Sequence, residues 1–316
     1  MTQLRELVEN ATAGDPVSGM RWTHKSLRKL ARALQQQGHR IGAVTVGRLL
    51  KAAQFSLRTN RKRLARTHEP ERDRQFRRIA RLRRCFEKQE NPVLSIDTKK
   101  KELLGQFKNP GVTWRQEPID VLDHDFPSAA VGRAIPFGIY DLARNTGFVV
   151  VGTTRETAAF AGAALRCWWD QQGRWLYQRE CHWLLLADCG GANNARTWLW
   201  KWALQQVADY CQVRITVAHY PPGASKWNPI EHRLFSAISN NWQGEPLQDC
   251  NMVLNFIRNT TTETGLRCRA VLDTSDYPKG QKITADQKGQ IRIKRSKVLP
   301  QWNYTILPRE KRTGYF

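Results

Sequence analysis

No apolar run in this sequence approaches the roughly 20 residues that a bilayer-spanning helix needs. The first residues, Met1-Thr-Gln-Leu-Arg-Glu6, have no apolar signal-peptide core. Internal repeats and low-complexity tracts are also missing. Cysteine is present, but not in a useful pattern. The seven residues Cys85, Cys167, Cys181, Cys189, Cys211, Cys250 and Cys268 are odd in number, widely spaced and contain no Cys-x-x-Cys pair. That excludes a disulfide framework and gives no structural zinc site, since Cys181, His182 and Cys189 have no second ligand pair. A reducing cytoplasm is the expected compartment. Acidic residues are scarce: 28 Asp+Glu stand against 51 Lys+Arg, a formal net charge of +23. This exceeds what solubility requires and predicts a polyanionic partner. The bases are spread along the chain rather than gathered on one amphipathic helix, so nucleic acid is expected and a membrane surface is not.

At 316 residues the chain can hold two domains and one large core. Residues 1–22 read as an irregular lead-in. Leu27, Leu30, Ala31 and Leu34 fall at helical spacing and predict a helix from about Thr23 to Gln37. A turn at Gly38–Gly42 follows. A second helix is predicted from an N-cap at Thr45 to Gln54, burying Val46, Leu49, Leu50 and Ala53. Two short helices about a glycine-bearing turn make a helix-turn-helix pattern. Its second helix would turn Thr45, Arg48, Lys51 and Gln54 outward, a set suited to a major groove. The plainer alternative is a helical hairpin with solvated charges.

Residues 58–84 carry twelve arginines and lysines against three acids. The first part, to about His68, predicts a linker. The second predicts a connecting helix with Phe76, Ile79, Ala80 and Phe86 inward. Such density suits phosphate contacts that position without reading sequence.

From Pro92 the texture changes. Val93-Leu-Ser-Ile-Asp97 predicts a strand ending in an acid, followed by Lys99, Lys100 and Lys101. Ile135–Leu142 and Gly147–Gly152 predict a hairpin. An Ala- and Trp-rich helix follows from Thr157 to Trp169. Trp183-Leu-Leu-Leu-Ala-Asp188 predicts a second buried strand ending in Asp. A helix with Leu199, Trp202, Ala203 and Val207 and a strand with Val213, Ile215 and Val217 come next. Pro221, Pro222 and Gly223 end that strand. Asn228-Pro229 then predicts an N-cap and first helical residue, which puts Glu231 in the first turn. Lys226, His232 and Arg233 surround it with positive charge. Beyond Gly244, a helix at Met252–Asn259 and strands at Leu266–Leu272, Ile291–Lys297 and Trp302–Ile306 are predicted.

Taken alone, each acid has an ordinary explanation: apolar strands ending in Asp are common, and a Glu in a first turn stabilises its helix. The element order is more specific. It is that of a ribonuclease-H-like α/β fold, in which a mixed sheet with flanking helices carries acids at neighbouring strand ends. The expected organisation is a helix-turn-helix DNA-binding domain at 1–57, a basic linker and connecting helix at 58–91, a catalytic domain at 92–245 and a C-terminal extension at 246–316.

Five motifs carry a family resemblance. They are Ser95-Ile-Asp-Thr-Lys-Lys-Lys-Glu-Leu103, Ala134-Ile-Pro-Phe-Gly-Ile-Tyr-Asp-Leu-Ala-Arg144, Leu186-Ala-Asp-Cys-Gly-Gly191, the segment from Pro221 to Ser236, and Trp302-Asn-Tyr-Thr-Ile-Leu-Pro308. On these the chain resembles DDE transposases of bacterial insertion sequences, of the ISAzo type with a Rhodopirellula-type DDE domain. The resemblance implies that Asp97, Asp188 and Glu231 form an acidic triad holding Mg²⁺, with Mn²⁺ an acceptable substitute. It implies cleavage and joining of DNA at insertion-sequence ends in a bacterial, nucleoid-associated setting. The partners would be double-stranded DNA, as element end and as target, and a homo-oligomer on DNA is one arrangement this allows. Cys189 and Ala192 depart from the small and hydroxyl residues expected in their loop. Family members extend further at the N-terminus, so a shortened copy is expected. A truncated copy that only binds DNA, and a metal-dependent nuclease, are the alternatives.

Overall fold

A computed structural model describes residues 13–14, 21–22, 26–56, 70–177 and 182–310. Thr23, the linker bases Arg58, Arg61, Arg63 and Arg66, and Cys181 lie outside the described residues. The chain divides into two compact units, Met1–Ala65 and Arg66–Phe316.

In the first unit, β1 (Ala13–Gly14) and β2 (Arg21–Trp22) pair antiparallel inside the stretch expected to be irregular. Helix α1 is Leu27–Gln36, and its N-cap is Ser26, whose hydroxyl accepts from the Lys29 N–H. Helix α2 is Ala43–Ala52. Leu30, Ala31, Leu34 and Val46 are buried between the two. Leu27 instead stays partly exposed and lies against Gly47. Two expectations are corrected here. The cap of α2 is Gly42 rather than Thr45, so Thr45 sits inside the helix. Gln54 lies beyond the helix with φ +67°, so it leaves the face that Arg48 and Lys51 share.

The second unit opens with α3 (Arg72–Lys88), whose buried residues are Gln75, Ile79 and Phe86. Ala80, expected inward, is exposed. The strands are β3 (Val93–Thr98), β4 (Glu102–Leu104), β5 (Gly132–Asp141), β6 (Thr146–Gly152), β7 (His182–Ala187), β8 (Arg214–His219), β9 (Arg267–Asp273), β10 (Ile293–Arg295) and β11 (Asn303–Ile306). One mixed sheet has the order β10-β11-β8-β7-β3-β5-β6-β9, with β4 paired to β5 at its side. β3, β5 and β6 run antiparallel in succession, and β7 and β8 then add parallel beyond β3. This is the ribonuclease-H-like topology. Residues 246–316 supply β9, β10 and β11 to the same sheet, β9 beside β6 and β11 beside β8.

Strand residues alternate between two covered faces. Leu94, Ile96, Trp183, Leu185 and Ala187 pack under α4 (Ala158–Trp168) and α5 (Trp198–Cys211). Val93, Leu184 and Leu186 face the other way, with Ile79 and Phe86 of α3. Tyr140 and Val149 lie under Ile230, Leu234 and Phe235, α6 (Ser236–Asn241) and α7 (Cys250–Arg258). Helix α8 (Ala285–Gly289) carries a capping box built on Thr284 and Gln287.

Close packing of the Glu231 segment depends on two glycines. A Cβ at Gly138 would lie 2.6 Å from the Phe235 ring and 2.8 Å from Ile230, and one at Gly147 would lie 2.4 Å from Leu234. Gly138 pairs with Asp97 across β5 and β3, so the segment comes to rest beside that acid. Gly138→Val should therefore cost about 1–3 kcal/mol in urea unfolding, the usual cost of overpacking. Gly132→Val, on the same strand but 3.5 Å from its nearest neighbour, should cost much less. Equal costs would show that the Glu231 segment does not rest on Gly138.

Candidate active site

Asp97 and Asp188 owe their meeting to register. Ser95 of β3 pairs with Leu186 of β7 in parallel, and each acid lies two residues further along its own strand direction. The period of two then puts both on the face covered by α3 and the Glu231 segment. The Asp97 carboxylate accepts from the Thr98 N–H at 2.8 Å, and the Asp188 carboxylate from the Gly190 N–H at 3.0 Å.

Glu231 arrives by a route the sequence did not suggest. Residues Glu231–Phe235 form a π-helical turn leading into α6, and such turns are frequent at functional sites. Asn228 does not cap with its side chain. Its Oδ1 accepts from the Ser95 hydroxyl at 2.5 Å, and its Nδ2 donates to the Ile96 carbonyl at 3.2 Å. The Ser95 oxygen in turn accepts the Ile230 N–H at 3.0 Å. The start of the Glu231 segment is thus fastened to β3 two residues before Asp97, by buried groups whose loss would leave polar atoms unpaired.

The electrostatics follow from crowding. Burial first, and then the Asp188 charge, push Asp97 from 3.8 up to about 8, against the pull of the Thr98 N–H. Burial also raises Asp188, opposed by the Gly190 N–H and reinforced by Glu156. Burial raises Glu231, while His232 and Lys99 oppose the rise and Asp97 hydrogen-bonds to it. None of the salt bridges among the described residues uses these three acids, so the crowding is not relieved by arginine. Three carboxylates form an all-oxygen donor set that fits a hard divalent cation. Among the described residues no three His, Cys, Asp or Glu groups converge on a single ion position.

Glu156 is a fourth acid here that sequence reasoning missed. It stands just before the N-cap Thr157 of α4, adds to the charge felt by Asp97 and Asp188, and pairs with Lys101 at 3.1 Å. Gly191 makes room for it, since a Cβ there would lie 2.7 Å from Glu156 Oε1. The usable signal was an acid one residue ahead of a helix that begins at this end of the sheet. Lys99 is buried, bonded to Glu102 at 2.7 Å and 4.5 Å from the Trp242 ring centre. Lys226, His232 and Arg233 are exposed beside Glu231, with the His232 ring bonded to the Lys226 carbonyl. In the first unit Thr45, Arg48, Lys51 and Gln54 are all exposed. His182 Nε2 bonds to Thr216 at 2.8 Å, and the Cys189 thiol donates to the Tyr220 carbonyl at 3.0 Å.

Such a sheet, with acids at the ends of its first and fourth strands, defines a ribonuclease-H-like domain with an acidic centre. The chain belongs to the family of the Rhodopirellula transposase DDE domain, which it matches over residues 3–308. No curated protein matches it in sequence. Among solved structures it is similar to the Mos1 transposase paired-end complex with the left transposon end, at 12% identity and a TM-score of 0.41, over 81% of this chain and 68% of that one. It is similar to the Mos1 strand transfer complex, at 12% identity and a TM-score of 0.42 over the same shares. A Mos1 mariner paired-end complex with Mn is 13% identical, with a TM-score of 0.41 over 81% and 69%. No helix among the described residues is long and apolar enough to cross a membrane.

A raised carboxyl favours the protonated form in the folded state, so the folded chain binds the extra proton. The stability that Asp97 contributes without metal is full below about pH 3.8 and is lost as pH rises through about 8. In chelator-treated protein the urea midpoint should therefore fall over this window, and Asp97→Asn should flatten the fall. A wild-type midpoint that rises from pH 5 to 8 by as much as the variant's would refute the crowded-acid account.

Proposed function

We propose that this chain is an active transposase that cleaves DNA at the ends of an insertion sequence and joins those ends to target DNA. The observation that carries the proposal is the meeting of Asp97, Asp188 and Glu231 at one end of the sheet, with no salt bridge to them among the described residues. The reaction is an in-line displacement at an anionic phosphorus, first by water and then by the freed 3′-hydroxyl. The chemistry that bound divalent metal would supply at these acids is activation of the attacking oxygen and stabilisation of the leaving one. Asp97, Asp188 and Glu231 would hold the metal. Mg²⁺ suits this set because it keeps several waters and needs few protein oxygens.

The rest of the site orients DNA. Ser95 and Asn228 hold the Glu231 segment to β3, so the third acid cannot drift from the first. Lys226, His232 and Arg233 stand exposed on the rim and would contact phosphates flanking the scissile one. The arginine face of α3 (Arg74, Arg77, Arg81 and Arg84) would hold more distant phosphates without reading bases. In the first unit Arg48 and Lys51 project from α2 and would read a major groove, with Thr45 beside them and Gln54 just past the helix end.

Asp97→Asn, Asp188→Asn and Glu231→Gln should each abolish cleavage of element-end DNA in Mg²⁺ while leaving duplex binding unchanged. The losses should not add, because the ligands act as one unit. Normal cleavage by any one variant removes that residue from the set. Cleavage by the wild type without joining would make the chain a nuclease, and binding alone would make it an inactive copy.

Removing Arg48 and Lys51 together should narrow the affinity gap between element-end and unrelated duplex. Removing Arg77 and Arg78 should weaken both duplexes alike and flatten the salt dependence. Equal loss of preference from the two pairs would sink the assignment of α2 as the reading helix.

A further inference from the structure

Behind Asp188 lies a buried polar network that holds the main chain of that acid. His219, the last residue of β8, is fully buried, and its Nδ1 lies 2.7 Å from the Asp188 carbonyl oxygen. A carbonyl can only accept, so Nδ1 carries the proton. The other nitrogen, Nε2, lies 3.1 Å from the Tyr304 hydroxyl of β11, which donates to it and fixes that tautomer. The histidine's own backbone is pinned on both sides. Its N–H donates to the Trp302 carbonyl at 2.9 Å, and its carbonyl accepts from Gln75 Nε2 at 2.8 Å. Gln75 comes from α3, is fully buried, and is locked in turn by Asn303 through bonds of 3.1 and 2.7 Å.

Asp188 stands one residue past the end of β7, where the ladder to β8 has stopped: Ala187 and His219 are the last pair. The Ala187 carbonyl just ahead of it accepts from the Tyr220 N–H at 2.7 Å, while the carbonyl of Asp188 itself lies beyond the ladder. The His219 ring supplies the missing donor from the side chain of the last ladder residue. A fully buried imidazole with a protonated Nδ1 on a carbonyl and an accepting Nε2 has no spare valence for substrate, which marks it as support and not as a reacting group.

We propose that His219 is a positioning residue for Asp188, holding its main-chain carbonyl so that the carboxylate stays turned toward Asp97, with Tyr304 selecting the ring tautomer and Gln75 fixing the histidine backbone. The proposal rests on the reading of Asp188 as a metal ligand. Partners one shell behind a ligand change metal affinity by roughly 10- to 100-fold when removed.

The test is Mn²⁺ binding by the full chain without DNA, followed by the electron paramagnetic resonance of free Mn²⁺. Relative to wild type, His219→Leu should weaken binding at least tenfold, a loss at the lower bound of that range. His219→Asn puts an amide nitrogen near the place of Nδ1 and should recover most of that loss. Tyr304→Phe should fall between the two. In ¹⁵N-resolved spectra the His219 ring, assigned by its disappearance in His219→Asn, should be protonated on Nδ1. Wild-type binding in a folded His219→Leu overturns the proposal, as does an Nε2-protonated ring. Should His219→Leu not fold, wild-type binding in Tyr304→Phe overturns it equally. Asp188→Asn separates the two claims: if it binds Mn²⁺ as wild type does, the metal reading fails and takes the positioning role with it. If it loses binding while His219→Leu does not, only the positioning role fails.

Discussion

The parallel pairing of β3 with β7 is the constraint on which the site depends. Two strands whose paired residues are 91 apart in sequence meet so that Ser95 lies beside Leu186, and the two acids beyond them come together. A slip of one residue would turn one carboxylate into the apolar layer under α4 and α5, where it would meet Phe160 and Trp168 instead of its partner acid. The alternation that builds the core thus also sets the chemistry, because the same period of two decides which side chains are buried in oil and which face the cleft.

Bringing like charges together in a partly buried place is unfavourable, and the fold accommodates this locally. Protonation of Asp97 is the first relief, since burial and the neighbouring Asp188 both favour the neutral acid. Backbone donors at Thr98 and Gly190 are the second. Neither removes the crowding, and a cation would. Acids that serve only structure are normally matched to bases, as Asp209 is to Arg309 at 2.7 Å. The contrast within one molecule separates an acid that stabilises the fold from acids that the fold merely tolerates.

Much of the rest serves to keep these positions fixed. Ser95 and Asn228 clamp one side, the glycines at 138 and 147 let the π-helical turn sit close, and the His219 network braces the other side. The two faces of the sheet therefore have different tasks. The face under α4 and α5 is a packed aromatic core around Trp168, Trp183 and Trp200, all fully buried. The opposite face carries a second core around Tyr140, Phe235 and Trp242 together with the buried polar contacts of Ser95, Asn228 and Gln75.

Local pattern was enough to determine that β3 and β7 are strands ending at an acid, that Glu231 follows a Pro-Pro-Gly turn, and that Leu30, Leu34 and Val46 bind two short helices together. Those features depend on periodicity and turn chemistry, which a sequence displays directly. Other features needed the tertiary structure. Thr45 looked like a cap by residue type, but the chain reaches helical geometry earlier, at Gly42. Lys99 stands among charged neighbours in the sequence, and its burial against the Trp242 ring depends on where residue 242 returns. Glu156 shows in the sequence only as an acid just ahead of a helix, and Gln75 lies among arginines as an ordinary polar residue of a basic helix. Their roles come from contacts distant in sequence, Glu156 with Asp97, Asp188 and Lys101, and Gln75 with His219, and only the closed sheet decides those.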